Sequence, residues 1–505
     1  MSARHLVIGL DGADVDVIEA LGPARLPSIF GLMARGAWAR LESVKPPATL
    51  PNWTTFLTGV DPGRHGVFDF TSRRGYGVAF TAGTIREAPT VAARLDRMGK
   101  RCALVGFPAT WPPEPLERGV FVSGWDSPVA FEADRSFVHP PSLHDEMTAR
   151  FGPSRFDDVD EFDAERPGWH ERLPAQLTAR IARKVELASW LLDRDRWDLF
   201  AFYFGESDTA AHHLWAFHDP GSPRHRPGHE DALARVYEAL DAAVGALVAR
   251  AGDAVEVTLV SDHGSGGASD RVLYLNRALE EAGLLRFHRA SLAAPLVGRA
   301  KDLALTALPG RARQALFSVA GRALPGWVES RARFGAIDFP HTRAFSDELN
   351  YFPAVWLNLR GRDPDGTVDP RDVEIVRRDV QAALGALRDP WTGARAVREV
   401  IPREALYDGP HVERAPDLIV ELELSDAGSY NVMPSASAPP GTGPWRKLAP
   451  EEHLGRKGRS LPGSHRERGL FVAAGPSVRA AGEIRARMPD ATATLLARMG
   501  VAPAP

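Results

Sequence analysis

The chain has 505 residues and a formal net charge of -4, with 44% hydrophobic and 25% charged residues. This composition is ordinary for a globular protein and excludes one that binds nucleic acid through bulk positive charge. The single cysteine, Cys102, excludes an intrachain disulfide, and no apolar run approaches the roughly 18 residues of a membrane span. The N-terminal residues lack a long apolar segment, so we expect no secretory signal and a cytoplasmic location.

The first predicted strand, HLVIGL, covers residues 5–10 and ends at Asp11, which Gly12 follows. A short apolar run of this kind is typical of a strand that is buried on both faces. Open α/β sheets place their sites at the carboxyl ends of such strands. Asp11 is therefore either a site residue, such as a metal ligand, or a cap of the next helix.

Residues 45–70, KPPATLPNWTTFLTGVDPGRHGVFDF, contain a candidate nucleophile, Thr49. The flanking prolines stiffen the backbone and place Thr49 on a turn, with a helix predicted to begin at Trp53. Asn52 offers an amide to an anionic oxygen, and the helix N-terminus favours an anion. A threonine hydroxyl needs a base or a metal to attack, and the alternative role for Thr49 is that of a helix cap.

Two later strands also end in acidic and histidine residues. WDLFAFYF, residues 197–204, precedes Asp208 and His212, whose i, i+4 spacing places both on one helix face. This pair suits one metal ion or forms a hydrogen bond on a helix surface. The strand at residues 256–260 precedes Asp262-His263-Gly264. Glycine permits the sharp turn that aims both neighbours at one point, although a simple glycine-rich turn has the same sequence.

Residues 284–335 differ from the rest of the chain, with nine basic and two acidic residues and several prolines. We expect a basic helical cap inserted into a catalytic domain formed by residues 1–283 and 336–505. The cap is a lid for an anionic substrate, a patch for a membrane surface, or a solvated insertion. His465, before the last predicted strand, carries no signal of its own.

The candidate site residues comprise three aspartates, three histidines and one hydroxyl: Asp11, Thr49, Asp208, His212, Asp262, His263 and His465. Carboxylate and imidazole ligands suit zinc or manganese rather than calcium. Two ions about 4 Å apart polarise a phosphoryl oxygen, hold a nucleophile as an alkoxide and stabilise a leaving group. The set therefore predicts displacement at phosphorus with two divalent metal ions, zinc or alternatively manganese.

Five segments in this order resemble the alkaline phosphatase superfamily: VIGLDG, PPATLPNWTTFLTGVDPGRHGVFDF, SDTAAHH, VSDHG and GSHRERGLFVAAGP. Within it, the sequence is most similar to the type I phosphodiesterase/nucleotide pyrophosphatase group and its bacterial predicted phosphohydrolase and phosphomutase relatives. The resemblance implies an α/β fold, a three-layer α/β/α sandwich around a mixed, mostly parallel sheet.

The resemblance also implies a role for each candidate. One metal ion would be held by Asp208, His212 and His465, and the other by Asp11, Asp262 and His263. Thr49 would contact the second ion and attack phosphorus, which gives a phospho-threonine intermediate. Asn52 falls where nucleotide pyrophosphatases have an asparagine that binds a phosphate oxygen.

Sulfatases of the superfamily are disfavoured, because Thr49 replaces their Cys or Ser and Trp53 stands where they have an arginine. The expected function is cleavage of phosphodiester or pyrophosphate bonds in a small phosphate ester, not in a nucleic-acid polymer. One alternative is a phosphomonoesterase or phosphomutase that uses the same site. Another is a non-catalytic anion-binding protein whose working surface is the basic cap.

Overall fold

The computed structural model describes residues 3–81, 83–124, 134–152, 164, 166–288, 330, 333–348, 352–455 and 460–502. Most of the expected basic cap, residues 284–335, lies outside these ranges, so the cap and its domain boundaries stay predictions.

The described strands, in chain order, are β1 (Ala3–Leu10), β2 (Ala37–Glu42), β3 (Thr71–Arg74), β4 (Gly77–Phe80), β5 (Cys102–Val105), β6 (Val120–Val122), β7 (Val138–His139), β8 (Trp197–Phe204), β9 (Glu256–Val260), β10 (Gly264–Leu273), β11 (Ala344–Ser346), β12 (Ala354–Leu357), β13 (Val397–Pro402), β14 (Leu418–Leu422), β15 (Leu424–Ser425), β16 (Gly428–Val432), β17 (Trp445–Lys447), β18 (Gly463–Arg466), β19 (Arg468–Ala474) and β20 (Gly482–Glu483).

The described α-helices are α1 (Val15–Arg25), α2 (Pro27–Arg35), α3 (Thr49–Thr58), α4 (Pro62–His65), α5 (Val91–Arg97), α6 (Pro141–Phe151), α7 (Trp169–Arg194), α8 (Glu206–His218), α9 (Ala232–Ala251), α10 (Leu275–Glu281), α11 (Val373–Gly385), α12 (Arg403–Leu406) and α13 (Met488–Arg498).

The central sheet has nine strands in the order β20-β2-β19-β9-β1-β8-β5-β6-β7. Strands β9, β1, β8, β5 and β6 are parallel to one another. Strand β19 runs antiparallel to β9 and β2, and β7 runs antiparallel to β6. The expected mixed, mostly parallel sheet is therefore confirmed.

Side chains on the two faces of this sheet enter two separate cores, because successive residues of a strand point to opposite faces. In β1, Leu6 and Ile8 pack with residues of α1, α2, α7, α8 and α9, whereas Val7 packs with residues of α3, α5 and α13. In β8, Phe202 joins the first core and Tyr203 the second. Helices cover both faces, which gives the three layers expected from the sequence.

Three smaller sheets extend the molecule beyond the central one. Strands β15, β16, β10 and β17 form one sheet, to which β18 is added by pairing with β10. Strands β11–β14 form an antiparallel sheet, and β3 and β4 form a hairpin. The register of β10 with β18 places His465 opposite Ser265. This pairing brings a late segment of the chain to the edge of the central sheet.

Among the described residues, no single helix is long and apolar enough to cross a membrane. The pair α1 and α2, bent by 103°, meets the length and composition criteria only when the two are taken together. Apolar residues of both helices, including Ile18 and Leu32, pack into the first core.

The buried guanidinium of Arg224, in the loop between α8 and α9, holds the backbone ahead of β18. Its nitrogens donate to the carbonyls of His453 (2.8 Å), Ser460 (3.0 Å) and Leu461 (2.8 Å), and to the Ser460 hydroxyl (3.1 Å). Because Arg224 is 0% exposed, the carbonyls that it binds have little access to water. Arg224 thereby fixes the chain that leads to His465.

We predict that Arg224→Met lowers the free energy of unfolding by about 2–4 kcal/mol, because several buried carbonyls lose a charged donor. Arg226→Met is the matched control, since the Arg226 guanidinium donates to the Pro450 carbonyl at an exposed position. Urea unfolding of both variants measures the difference. Equal stability of the two variants would contradict the role given to Arg224.

Candidate metal centre

Two clusters of carboxylate and imidazole groups lie at the carboxyl ends of the parallel strands. The Asp208 cluster consists of Asp208, His212 and His465, and the Asp11 cluster consists of Asp11, Asp262 and His263. In each cluster, one ligand atom per residue lies within 4.8 Å of the other two. Strands β9, β1 and β8 are parallel neighbours, so their carboxyl ends deliver all three aspartates to one edge of the sheet.

The Asp208 cluster combines one helix with one distant strand. Helix α8 begins directly after β8, and its i, i+4 spacing puts Asp208 Oδ1 3.2 Å from His212 Nε2. His465 comes from β18, with Nε2 3.0 Å from His212 Nε2 and 3.6 Å from Asp208 Oδ1. The structure thus brings together the three residues that the resemblance assigned to one ion.

The Asp11 cluster is built from the ends of β1 and β9. His263 Nε2 lies 3.5 Å from Asp11 Oδ1 and 3.3 Å from Asp262 Oδ2. The backbone of Gly12 has a φ of 62° and donates its N–H to Asp262 Oδ1 at 3.2 Å. A positive φ suits glycine, so Gly12 allows the chain to turn away from the sheet while it orients Asp262.

Main-chain carbonyls determine which nitrogen of each histidine carries the proton. The Nδ1 atoms of His212, His263 and His465 lie 3.0, 2.9 and 2.9 Å from the carbonyl oxygens of residues 463, 264 and 47. A carbonyl can only accept, so Nδ1 carries the hydrogen and the neutral ring keeps a lone pair on Nε2. Each Nε2 therefore has the form that a metal ion binds.

The donor set fits divalent cations. The Nε2 lone pairs of His212 and His465 face each other at 3.0 Å, an arrangement that repels unless a cation lies between them. Asp11 Oδ1, Asp208 Oδ1 and Asp262 Oδ2 are buried and have no hydrogen-bond partner among the described residues. These are the oxygens that face the imidazole nitrogens, and a buried unpaired carboxylate is costly unless a cation meets it.

The pKa values of the aspartates reflect the same crowding. Burial and the nearby charge of Asp208 raise the pKa of Asp11 to about 7. Burial and the charge of Asp11 raise the pKa of Asp262. Burial also acts to raise the pKa of Asp208, but His212 and His465 outweigh it and hold this pKa below its usual range.

Thr49 lies beside the Asp11 cluster as the first residue of α3. Its side chain is buried, and Oγ1 lies 3.4 Å from His263 Nε2. The helix begins four residues earlier than the predicted start at Trp53, because Pro51 fits the first turn, where a missing N–H costs nothing. The hydroxyl therefore sits at a helix N-terminus rather than on a separate turn.

The side-chain amide of Asn52 forms hydrogen bonds with main-chain groups of the loop before Thr49. Its Oδ1 accepts from the N–H of Val44 at 2.7 Å, and its Nδ2 donates to the carbonyls of Ala48 (2.9 Å), Pro46 (3.1 Å) and Val44 (3.3 Å). The prolines leave this loop without regular ladder partners, so the Asn52 amide satisfies its carbonyls instead. Donation from Asn52 to a phosphate stays a prediction, and the observed bonds fix the loop that precedes Thr49.

Sequence reasoning missed two residues, Trp53 and Tyr203, that bind Asp11. The Oδ2 atom of Asp11 accepts from Tyr203 Oη at 2.6 Å and from Trp53 Nε1 at 2.9 Å. The available signals were weak: Trp53 follows Thr49 by one helical turn, and Tyr203 is the single hydroxyl-bearing residue of the strand WDLFAFYF.

The layered fold and the two clusters at its edge agree with the arrangement that the sequence resemblance implies for a metal-dependent hydrolase. The sequence profile described as type I phosphodiesterase / nucleotide pyrophosphatase matches residues 5–430, and the chain belongs to this family. The matched segment includes Thr49 and every cluster residue except His465. The family is metal-dependent, and the two clusters supply candidate ligands for divalent ions.

Solved structures share the fold. Phosphonoacetate hydrolase from Sinorhizobium meliloti 1021, in complex with phosphonoformate, is 17% identical over 97% of this chain and 94% of its own, with a TM-score of 0.54. An inactive murine ectonucleotide pyrophosphatase/phosphodiesterase, in complex with AMP, is 14% identical over 100% of this chain and 96% of its own, with a TM-score of 0.51. No curated protein sequence matches significantly.

We predict that Gly463→Ala weakens zinc binding about 10-fold or more at one of the two clusters, the Asp208 cluster. A Cβ at Gly463 would lie 2.0 Å from the Ala211 carbonyl oxygen and 2.9 Å from His212 Cα, so β18 must move away from α8. Gly385→Ala is the control, since a Cβ there meets no atom within 4 Å. Titration with a chromophoric chelator measures both, and unchanged affinity of Gly463→Ala would refute the prediction.

We predict that Asn52→Ala lowers the free energy of unfolding by about 2–3 kcal/mol, because Asn52 is buried and bonds several main-chain groups. Urea unfolding and phosphodiester hydrolysis, measured on the same preparation, separate the two roles. A loss of stability together with activity supports the loop role. A fully stable variant that loses only activity would support donation to phosphate.

Proposed function

We propose that the chain is a two-metal phosphohydrolase that cleaves phosphodiester or pyrophosphate bonds through a phosphorylated Thr49. The observation that carries this proposal is the position of the Thr49 hydroxyl, 3.4 Å from His263 Nε2 and within a centre of three aspartates and three histidines. A small phosphate ester is the proposed substrate class.

The chain supplies two sets of three ligands, one with two aspartates and a histidine and the other with an aspartate and two histidines. Asp11, Asp262 and His263 would hold one ion, and the Asp208 cluster would hold the other, with zinc the proposed metal and manganese the alternative. Bound ions would ionise the hydroxyl and neutralise the charge that develops on the phosphoryl oxygens and the leaving oxygen.

Thr49 performs the bond-making step. After its proton passes to solvent, Oγ1 attacks phosphorus and the bond from phosphorus to the leaving oxygen breaks, so that the leaving group departs with the electron pair. Water then attacks the phospho-threonine in line and restores the hydroxyl. The N-terminus of α3 directs free N–H groups toward this position, which favours negative charge there.

The surroundings of Thr49 support a diester over a monoester. Among the residues that the structure describes, the hydrogen-bond partner of Thr49 Oγ1 is His263, and no lysine or arginine donates to this oxygen. A monoester dianion carries one more negative charge than a diester and gains more from an additional cation. Phosphomonoesterase or phosphomutase activity therefore remains the alternative outcome of the test.

The test compares bis-p-nitrophenyl phosphate with p-nitrophenyl phosphate, using protein that has been stripped of metal and reloaded with zinc or manganese. We expect faster diester hydrolysis that requires metal and falls on the order of 10³-fold or more in Thr49→Ala. Thr49→Ser, which keeps a hydroxyl, should retain part of the activity.

Two results would change this conclusion. Diester hydrolysis that survives Thr49→Ala would remove Thr49 as the nucleophile. Faster monoester hydrolysis would select the phosphomonoesterase or phosphomutase alternative on the same site.

A further inference from the structure

The two oxygens of the Asp11 carboxylate have different surroundings. Oδ2 accepts two hydrogen bonds, from Tyr203 Oη at 2.6 Å and Trp53 Nε1 at 2.9 Å. Oδ1 lies 3.5 Å from His263 Nε2 and has no hydrogen-bond partner among the described residues. Because Asp11 is 1% exposed, rotation of its carboxylate would break two hydrogen bonds where water cannot replace them.

Tyr203 reaches Asp11 from the adjacent strand. In the parallel register of β1 and β8, Tyr203 pairs with Gly9, two residues before Asp11. Its ring lies in the second core, and its centroid is 5.6 Å from that of Trp53 in an edge-on contact. Its hydroxyl is therefore held toward the carboxyl end of β1.

Trp53 reaches Asp11 from the helix that carries Thr49. Its indole is 0% exposed and contacts Phe56, Phe107 and Tyr203 edge-on, with centroids 5.2–6.0 Å away. A Cβ at Gly9 would lie 2.8 Å from the indole Cη2, so the glycine provides the room for this close approach. The indole therefore has one orientation, with Nε1 on Asp11.

Thr49 and Trp53 are four residues apart on α3, so they lie on the same helix face. Thr49 Oγ1 contacts His263, and Trp53 Nε1 donates to Asp11. One turn of α3 therefore connects Thr49, the proposed nucleophile, to Trp53, which holds the ligand Asp11. A shift of α3 would therefore change the distance from Thr49 to the Asp11 cluster and, at the same time, break the hydrogen bond from Trp53 to Asp11.

We propose that Trp53 and Tyr203 are positioning residues that fix Asp11 so that Oδ1 alone faces the ion of the Asp11 cluster, and that Trp53 also sets the distance from Thr49 to that ion. This inference rests on the proposed function, because it requires an ion at the Asp11 cluster. Both residues act through Asp11 and α3 and do not touch the reacting atoms.

The test uses Tyr203→Phe and Trp53→Phe, which keep an aromatic ring and remove the donor. We expect zinc affinity at one of the two positions to fall about 10-fold or more in each variant, measured by competition with a chromophoric chelator. At saturating zinc, Tyr203→Phe should recover its kcat toward bis-p-nitrophenyl phosphate. Trp53→Phe should keep a lowered kcat, because its effect on the position of α3 is not reversed by metal.

Two matched control variants each lose a buried tyrosine or tryptophan hydrogen-bond donor that lies outside the two clusters. Tyr430 Oη donates to Asp389 Oδ2 at 3.0 Å, and Trp197 Nε1 donates to the Leu191 carbonyl at 2.9 Å, both in buried surroundings. We expect Tyr430→Phe and Trp197→Phe to bind zinc with wild-type affinity. A similar loss in the controls would show a general effect of cavity formation and overturn the proposal.

The outcomes separate this inference from the function on which it rests. Wild-type protein that binds no zinc or manganese would overturn the two-metal function itself. Wild-type protein that binds two ions, with Tyr203→Phe and Trp53→Phe binding both as tightly, would overturn the positioning role alone. Trp53→Phe is checked for folding by circular dichroism. If it does not fold, the zinc affinity of Tyr203→Phe tests whether Asp11 is fixed by its hydrogen bonds. The kcat of Trp53→His then tests whether Trp53 places α3.

Discussion

Three carboxylates, from Asp11, Asp208 and Asp262, lie at one edge of the central sheet, and the repulsion between their charges is the constraint on which the centre depends. Burial and mutual repulsion raise the pKa of Asp11 and of Asp262. In their neutral form the three imidazoles, each with Nδ1 on a carbonyl, contribute lone pairs at Nε2. The carboxylate oxygens that face these nitrogens have no donor among the described residues, an arrangement that bound divalent cations would stabilise.

The contacts that hold this arrangement involve loops and the first residues of strands. The carbonyls that set the histidine tautomers belong to residue 47, in the loop before α3, and to residues 264 and 463, at the starts of β10 and β18, so small shifts of these segments change the ligands directly. Asn52 bonds the loop before Thr49, Arg224 bonds the chain before β18, and Gly463 lets β18 approach α8. The parallel strands supply the aspartates, and these contacts supply the precision with which nitrogen and oxygen atoms face each other.

The strand ends were predictable because short apolar runs, each followed by acidic residues, mark the carboxyl edge of a buried sheet. The place of His465 was not, since its contact with His212 spans 253 residues and depends on the pairing of β18 with β10. Its assignment came only from family resemblance. Trp53 and Tyr203 escaped for another reason, because buried aromatic residues are ordinary core residues. The main-chain partners of Asn52 were not predictable either, because an amide near prolines gives no sign of which carbonyls it will meet.

The two clusters differ in exposure, and the difference matches the two halves of the proposed reaction. The side chains of His263 and Asp11 are 0% and 1% exposed, whereas those of His212 and Asp208 are 11% and 22% exposed, with His465 buried at 2%. Thr49 contacts the drier cluster, where charge interactions are strongest and an alkoxide is best stabilised. The Asp208 cluster is the more exposed of the two, and in the proposed reaction water is the nucleophile of the second displacement. In the proposed reaction, one edge of the sheet would therefore provide a buried position for the Thr49 hydroxyl and a more exposed position beside Asp208 for the water that hydrolyses the phospho-threonine.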